Sequence, residues 1–155
     1  MGSGGSLRAK SLRLLARREH SRAELARKLR GPDVDPAEIE ALLDELQGDG
    51  SLSESRLAEQ MVHAARGRYG VRRVAEKLRE KGVGDDTLAQ AAEVLREQDL
   101  DSARSAWRKR FKSPPATLAE RAKQARFLAG RGFSGEVIRQ VLAGAEVEDE
   151  SADSE

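Results

Sequence analysis

Between Arg66 and Lys81 the chain sets seven cations, Arg66, Arg68, Arg72, Arg73, Lys77, Arg79 and Lys81, against two anions, Glu76 and Glu80. A guanidinium is a planar fork of donors that keeps its charge at physiological pH and meets phosphate or carboxylate through paired N–H groups, so this stretch has the chemistry of an anion-binding surface. Two further stretches share that character. Arg8, Lys10, Arg13, Arg17, Arg18, Arg22, Arg27, Lys28 and Arg30 are accompanied only by Glu19 and Glu24, and Arg104, Arg108, Lys109, Arg110 and Lys112 fall within nine residues that hold no acid. Trp107 and Phe111 interrupt the last group. Aromatic rings among cations can stack on unpaired nucleobases, yet Leu100, Ala103, Trp107 and Phe111 recur at helical spacing, which is the pattern of a core face.

Nothing comparable supports catalysis. His20 and His63 have no second ligand at metal-binding spacing and no adjacent nucleophile, and both read as surface or turn residues. There is no cysteine, hence no disulfide framework and no thiolate. A phosphate loop and a dinucleotide fingerprint are missing as well. The expectation is a protein that is not an enzyme, takes no cofactor and holds no metal. Without an apolar run near membrane-spanning length or a signal-peptide pattern, it is expected in the cytoplasm and away from membranes.

The elements that must carry these cations are helices. Aromatics make up 3% and charged residues 35% of the 155 residues, Ala, Leu, Arg, Glu and Lys dominate, and no segment alternates with period two. A short arrangement recurs three times: a leucine, then an apolar residue, a helix-starting residue and a new apolar face. The copies are Leu29…Val34-Asp35-Pro36-Ala37-Glu38-Ile39, Leu78…Val83-Gly84-Asp85-Asp86-Thr87-Leu88 and Leu128…Phe133-Ser134-Gly135-Glu136-Val137-Ile138. Val34, Val83 and Phe133 each precede a cap and can staple onto Ile39, Leu88 and Ile138. The predicted fold is all-α, an elongated curved array of three tandem three-helix repeats of about 50 residues. Residues 1–6 read as a linker or expression scar, 7–52, 53–97 and 98–144 as the repeats, and 145–155 as an acidic disordered tail.

Nine helices are expected. In the first repeat one runs from Leu7 to Arg18, the next starts at the capping box Ser21-Arg22-Ala23-Glu24, and the third is capped by Asp35 with Pro36 behind it. The second repeat predicts helices over Ser53–Arg66, Val71–Lys81 and Gly84–Glu97, with Leu57, Met61, Val62, Val71, Val74, Leu78, Leu88, Ala92 and Leu95 buried. The third predicts Leu100–Phe111, Ala116–Gly130 and Gly135–Leu142. On the Val71–Lys81 helix the apolar residues fall on one side, with Arg68, Arg72 and Arg79 on one flank and Arg73, Lys77 and Lys81 on the other. These flanks are either a solvated face with local pairing to Glu76 or an interaction surface, and the scarcity of acids favours the second.

The formal charge of +1 conceals a division, because residues 145–155 carry six acids and no base. The body is basic. A tail of that composition buries too little to offset the entropy of ordering, and serves either to solubilise the chain or to compete with a polyanion for the body. With no long uninterrupted heptad seam, the chain is expected to be a monomer.

Ser11-Leu12-Arg13-Leu14-Leu15-Ala16-Arg17-Arg18-Glu19-His20-Ser21-Arg22-Ala23-Glu24-Leu25, and Arg68-Tyr69-Gly70-Val71-Arg72-Arg73-Val74 followed by Leu78-Arg79-Glu80-Lys81-Gly82-Val83, resemble the signatures of the RecX family. The resemblance covers residues 10–97 well and the last repeat loosely. Leu57, where the family more often has an aromatic, and Val71, where proline is common, depart from it; both bear on packing more than on the basic surface. The resemblance implies a non-enzymatic negative regulator of the RecA recombinase. Such a regulator binds in the groove of the RecA filament on single-stranded DNA and curbs strand exchange, ATP hydrolysis and coprotease action. The residues expected to meet RecA or DNA are Arg66, Arg68, Arg72, Arg73, Lys77, Arg79, Lys81, Arg17, Arg18, Arg22, Arg108, Lys109 and Arg110. The alternative is a helical module that binds single- or double-stranded DNA directly, without RecA.

Overall fold

The structure, a computed structural model, describes residues 3–153, and every regular element in that span is α-helical. Eight helices follow in order: α1 (Ser3–Arg17), α2 (Arg22–Leu29), α3 (Pro36–Gly48), α4 (Glu54–Ala65), α5 (Val71–Glu80), α6 (Asp85–Arg110), α7 (Leu118–Gly130) and α8 (Gly135–Asp153). Met1 and Gly2, the start of the expected linker, and Ser154 and Glu155, the end of the expected tail, lie outside the described residues.

Local chemistry accounts for most of the boundaries. Ser21 caps α2 by accepting from the Glu24 N–H at 3.0 Å while Glu24 accepts from the Ser21 N–H at 3.0 Å, a reciprocal capping box. Asp35 accepts from the Ala37 N–H at 2.9 Å with Pro36 behind it, and Thr117 caps α7 through the Glu120 N–H at 3.1 Å. The second and third copies of the repeated turn end in the same way. The Val83 N–H donates to the Leu78 carbonyl at 3.1 Å and the Phe133 N–H to the Leu128 carbonyl at 3.2 Å. Gly82 (φ 77°) and Gly132 (φ 94°) take the left-handed step between them. In the first copy Gly31-Pro32 ends the helix without that step, and the Val34 N–H reaches only the Gly31 carbonyl at 3.2 Å.

Three expectations need correction. The third helix of the middle repeat and the first of the last repeat are one 26-residue helix, α6, so the described residues hold eight helices and not nine. No glycine or proline interrupts residues 85–110, and Ala91, Leu95, Asp99, Ser102, Ala103, Ala106 and Trp107 form one buried stripe at helical spacing along its whole length. Once nucleated, a helix extends at little cost. α1 begins at Ser3, inside the segment read as linker, although Gly4 and Gly5 have low helix propensity. α8 runs to Asp153, through most of the segment expected to be a disordered tail. There Glu146 reaches Arg121 at 2.8 Å and Glu148 reaches Arg108 at 3.4 Å, partners that a compositional reading could not assign.

The chain forms two compact units. The first takes the residues up to Gln60 with Leu78–Leu88, the second Met61–Lys77 with the residues from Ala89 on, so the helices of the middle repeat are divided between them. In the first unit α1, α2 and α3 pack on one another around Leu25, Leu29, Leu43 and Leu46. In the second, α7 packs on α8, and Trp107, Leu128, Phe133 and Leu142 share a core in which the Trp107 indole donates to Gln124 Oε1 at 2.8 Å. Of the expected middle-repeat core, Leu57, Val62, Val74, Leu78 and Leu95 are buried, and Met61, Val71, Leu88 and Ala92 half-buried.

One close approach in the second unit positions the candidate site. The Gly70 N–H donates to the Arg131 carbonyl at 2.7 Å and the Arg72 N–H to the Gly132 carbonyl at 3.2 Å, which seats the start of α5 against the turn between α7 and α8. A Cβ on Gly70 would lie 2.5 Å from the Gly132 carbonyl oxygen, and one on Gly132 would lie 2.6 Å from the Arg73 nitrogen. Only glycine allows the two backbones this near.

Candidate functional site

The structure sorts the thirteen predicted site residues by what meets their charge. In the first unit three are engaged by acids. Arg22, 27% exposed, is held by Glu40 at 2.7 Å and Asp44 at 2.8 Å. The hydrogen bond it donates to the Glu40 carboxylate is the main reason its guanidinium is raised above its ordinary pKa. Arg18 and Lys81 converge on the Glu24 carboxylate at 3.0 and 3.4 Å. At Arg22, Arg18 and Lys81 the positive charge is met within the fold, because α3 and the capping box supply carboxylates. Arg17 and Arg79 are exposed, with no ion pair among the described residues.

Glu24 is the hub of that junction. Burial pushes its carboxyl up, but the Ser21 N–H, the Arg18 guanidinium and the Lys81 ammonium together outweigh burial and hold it at about 2. The Ser21 hydroxyl donates to the Lys81 carbonyl, and Glu54 accepts from the Arg22 and Gly84 N–H groups at 3.0 and 3.1 Å, joining α2, α4 and the turn before α6. His20, expected as a surface or turn residue, does sit in the turn after α1 but is buried, with Nδ1 3.0 Å from the Arg18 carbonyl and Nε2 2.9 Å from Lys28 Nζ. Burial lowers its pKa. His63 is exposed in the last turn of α4.

In the second unit carboxylates are scarce around the basic residues. Arg66 donates to Gln98 Oε1 at 3.1 Å, Arg72 to the Ala129 carbonyl at 2.9 Å and Arg73 to the Gly130 carbonyl at 3.4 Å. The last two cap the C-terminal end of α7, where carbonyls lack helical partners and cations are favoured. Arg68, Lys77 and Lys109 are exposed and have no ion pair among the described residues, whereas Arg108 meets Glu148.

Rings take the place of acids here. Arg73 lies over Tyr69 at 4.4 Å from the ring centroid, and Arg131 lies over both Tyr69 (5.1 Å) and Phe127 (5.0 Å). Arg110 lies over Phe127 (5.9 Å) and Phe111 (5.2 Å), and those two rings meet edge to face at 5.4 Å. The ladder thus runs from Arg73 and Tyr69 through Arg131 and Phe127 to Arg110 and Phe111. The charge pattern pointed to Arg73 and Arg110 but missed Arg131, Tyr69 and Phe127. Their signal was faint: an arginine and an aromatic beside each of two glycine turns, Arg68-Tyr69-Gly70 and Phe127…Arg131-Gly132. Trp107, by contrast, is core.

Asp99, buried on α6, accepts from the Val71 N–H at 3.4 Å at the start of α5, and its Oδ1 has no hydrogen-bond partner among the described residues. Burial raises its pKa. Among the described residues no group of His, Asp and Glu is placed to hold a metal ion, and no helix is long and apolar enough to cross a membrane.

Comparison with known proteins accounts for the three-fold repetition. Residues 8–46, 53–91 and 97–142 match the family models for the first, second and third three-helix domains of RecX. The chain belongs to the RecX family. Its relatives include the regulatory protein RecX of Leptothrix cholodnii, 52% identical over 137 residues (88% of this chain and 87% of that one). The regulatory protein RecX of Ralstonia pickettii is 46% identical over 141 residues (91% and 89%). The crystal structure of RecX from Lactobacillus salivarius superposes with a TM-score of 0.79 at 18% identity, covering 93% of this chain and 97% of that one. A second, of a regulatory protein RecX, does so with a TM-score of 0.73 at 20% identity, covering 89% and 72%. The chain is thus a member of a family of regulatory proteins, built of three tandem three-helix domains.

Proposed function

We propose that this protein is a negative regulator of RecA that binds in the groove of the RecA filament on single-stranded DNA and there restrains strand exchange, ATP hydrolysis and coprotease action. The observation that carries the reading is the match of all three RecX domains, in order, along nearly the whole chain. The surface chemistry agrees with it: Arg68, Lys77 and Arg79 stand exposed with no carboxylate partner among the described residues, available to a polyanionic target. Several modest contacts along a repeating target add up through effective concentration, and no deep pocket is required. The protein acts by occupying the groove, without catalysis or cofactor, in the cytoplasm and as a monomer.

The test is a titration into RecA's DNA-dependent ATPase and strand-exchange reactions. Arg68→Glu/Lys77→Glu/Arg79→Glu, which breaks no ion pair or cap among the described residues, is expected to weaken inhibition tenfold or more, since each reversed charge removes one favourable contact and adds a repulsive one. Unchanged inhibition would refute the assignment of these residues. A protein that bound DNA but left RecA untouched would replace the reading with that of a direct DNA-binding module.

A further inference from the structure

The ladder of the second unit has a property that the other arginines of this chain lack. Where an arginine here meets a carboxylate it does so without a ring behind it: Arg22 with Glu40 and Asp44, Arg56 with Glu19 at 2.7 Å, Arg121 with Glu146. Arg73, Arg110 and Arg131 are the reverse. Among the described residues none forms an ion pair, each is backed by an aromatic ring within 6 Å, and no lysine takes part. Among the described residues their contacts to backbone are long, Arg73 to the Gly130 carbonyl at 3.4 Å and Arg131 to the Arg68 carbonyl at 3.5 Å.

We propose that this ladder, Arg73–Tyr69–Arg131–Phe127–Arg110–Phe111, is a binding site for single-stranded DNA, in which guanidinium planes stack on unpaired bases and guanidinium edges meet the phosphates. A guanidinium held over a ring has already given up much of its rotamer freedom, so less is lost when a ligand arrives. Its charge is not neutralised by a neighbouring acid. A flat cation offers an unpaired base a stacking partner that a lysine cannot. An acidic protein surface would use the charge but not the planes, and duplex DNA would offer phosphates but no free bases. The inference rests on the proposed function only in choosing DNA over RNA; the stacking argument stands without RecA.

The experiment measures binding of the chain alone to a fluorescent oligo-dT and to a duplex of equal length, across a salt series. Arg73→Lys/Arg110→Lys/Arg131→Lys keeps the charge and loses the planes. It is expected to bind oligo-dT about tenfold more weakly with an unchanged salt slope, and to bind duplex as before. The corresponding triple glutamine variant should also shorten the slope by about 2, at about 0.7 per phosphate contact on a single strand. Arg110→Lys alone touches no backbone carbonyl, so folding is not at stake, and a two- to threefold loss on oligo-dT is expected from it. Native-like oligo-dT binding by the lysine variants, or an equal loss on duplex, would overturn the site. If the glutamine variant kept oligo-dT affinity but lost inhibition of RecA, the ladder would be a protein-docking surface and the proposal would fail while the proposed function survived. Lost oligo-dT binding with intact RecA inhibition would support the site and count against its role in that function.

Discussion

Glu24 offers the sharpest test of how the first unit is held. Its carboxylate is 11% exposed and accepts from the Ser21 N–H, Arg18 and Lys81. Lowering that carboxyl from 4.5 to about 2 corresponds, at ~1.4 kcal/mol per pH unit, to about 3 kcal/mol in favour of folding while it is ionised. Because the folded value lies below the unfolded one, this contribution is complete at neutral pH. It begins to fade as pH falls through about 4.5 and is lost as pH falls through about 2. Glu24→Gln removes the charge and keeps a side chain that can still close the capping box. The variant should therefore be less stable by about 2–3 kcal/mol at pH 7, a urea midpoint lower by on the order of 1 M at an unchanged slope. By pH 3.5 the gap should have shrunk by about 1.4 kcal/mol, since the unfolded chain has by then taken up the proton. Urea titrations followed by circular dichroism at the two pH values measure both quantities. Equal midpoints at pH 7, or a gap that did not narrow at pH 3.5, would refute the reasoning.

Gly70→Ala should lower the melting temperature sharply, by the equivalent of about 3 kcal/mol, because its Cβ would meet the Gly132 carbonyl and the Phe133 ring. Gly130→Ala, whose Cβ would meet nothing within 4 Å, should be neutral or slightly stabilising in the same assay. Asp99 is held above the ordinary carboxylate range by burial, so the unfolded chain releases its proton first and folding loses stability as pH rises through the raised value. Asp99→Asn, which keeps an acceptor for the Val71 N–H, should then be more stable than the native protein at pH 7 and indistinguishable from it near pH 3 by urea midpoint.

Local features announced themselves well. The Ser21–Glu24 box and the Asp35-Pro36 start lie within four residues of sequence and depend on nothing further away, and both are present. The fusion of two expected helices into α6 was harder to see, since a break was inferred from the repeat period although residues 97–100 contain no breaker. The acidic segment read as disordered because composition counts charges and not their partners; Arg121 and Arg108 lie 25 and 40 residues away from the acids they meet.

Propensity, capping and apolar period act over a few residues, so the all-helical character, the turn that recurs three times and the places where arginines and lysines concentrate can be read along the chain. Which of those charges remain available depends on packing between distant segments. Arg22 and Lys81 are met by acids 18 and 57 residues away, while Arg131 comes to rest on Tyr69 through the glycine crossing of Gly70 and Gly132. Whether a cation ends against a carboxylate, a carbonyl or a ring depends on what packing brings beside it, and that neighbour is not encoded in the residues next to it in the chain.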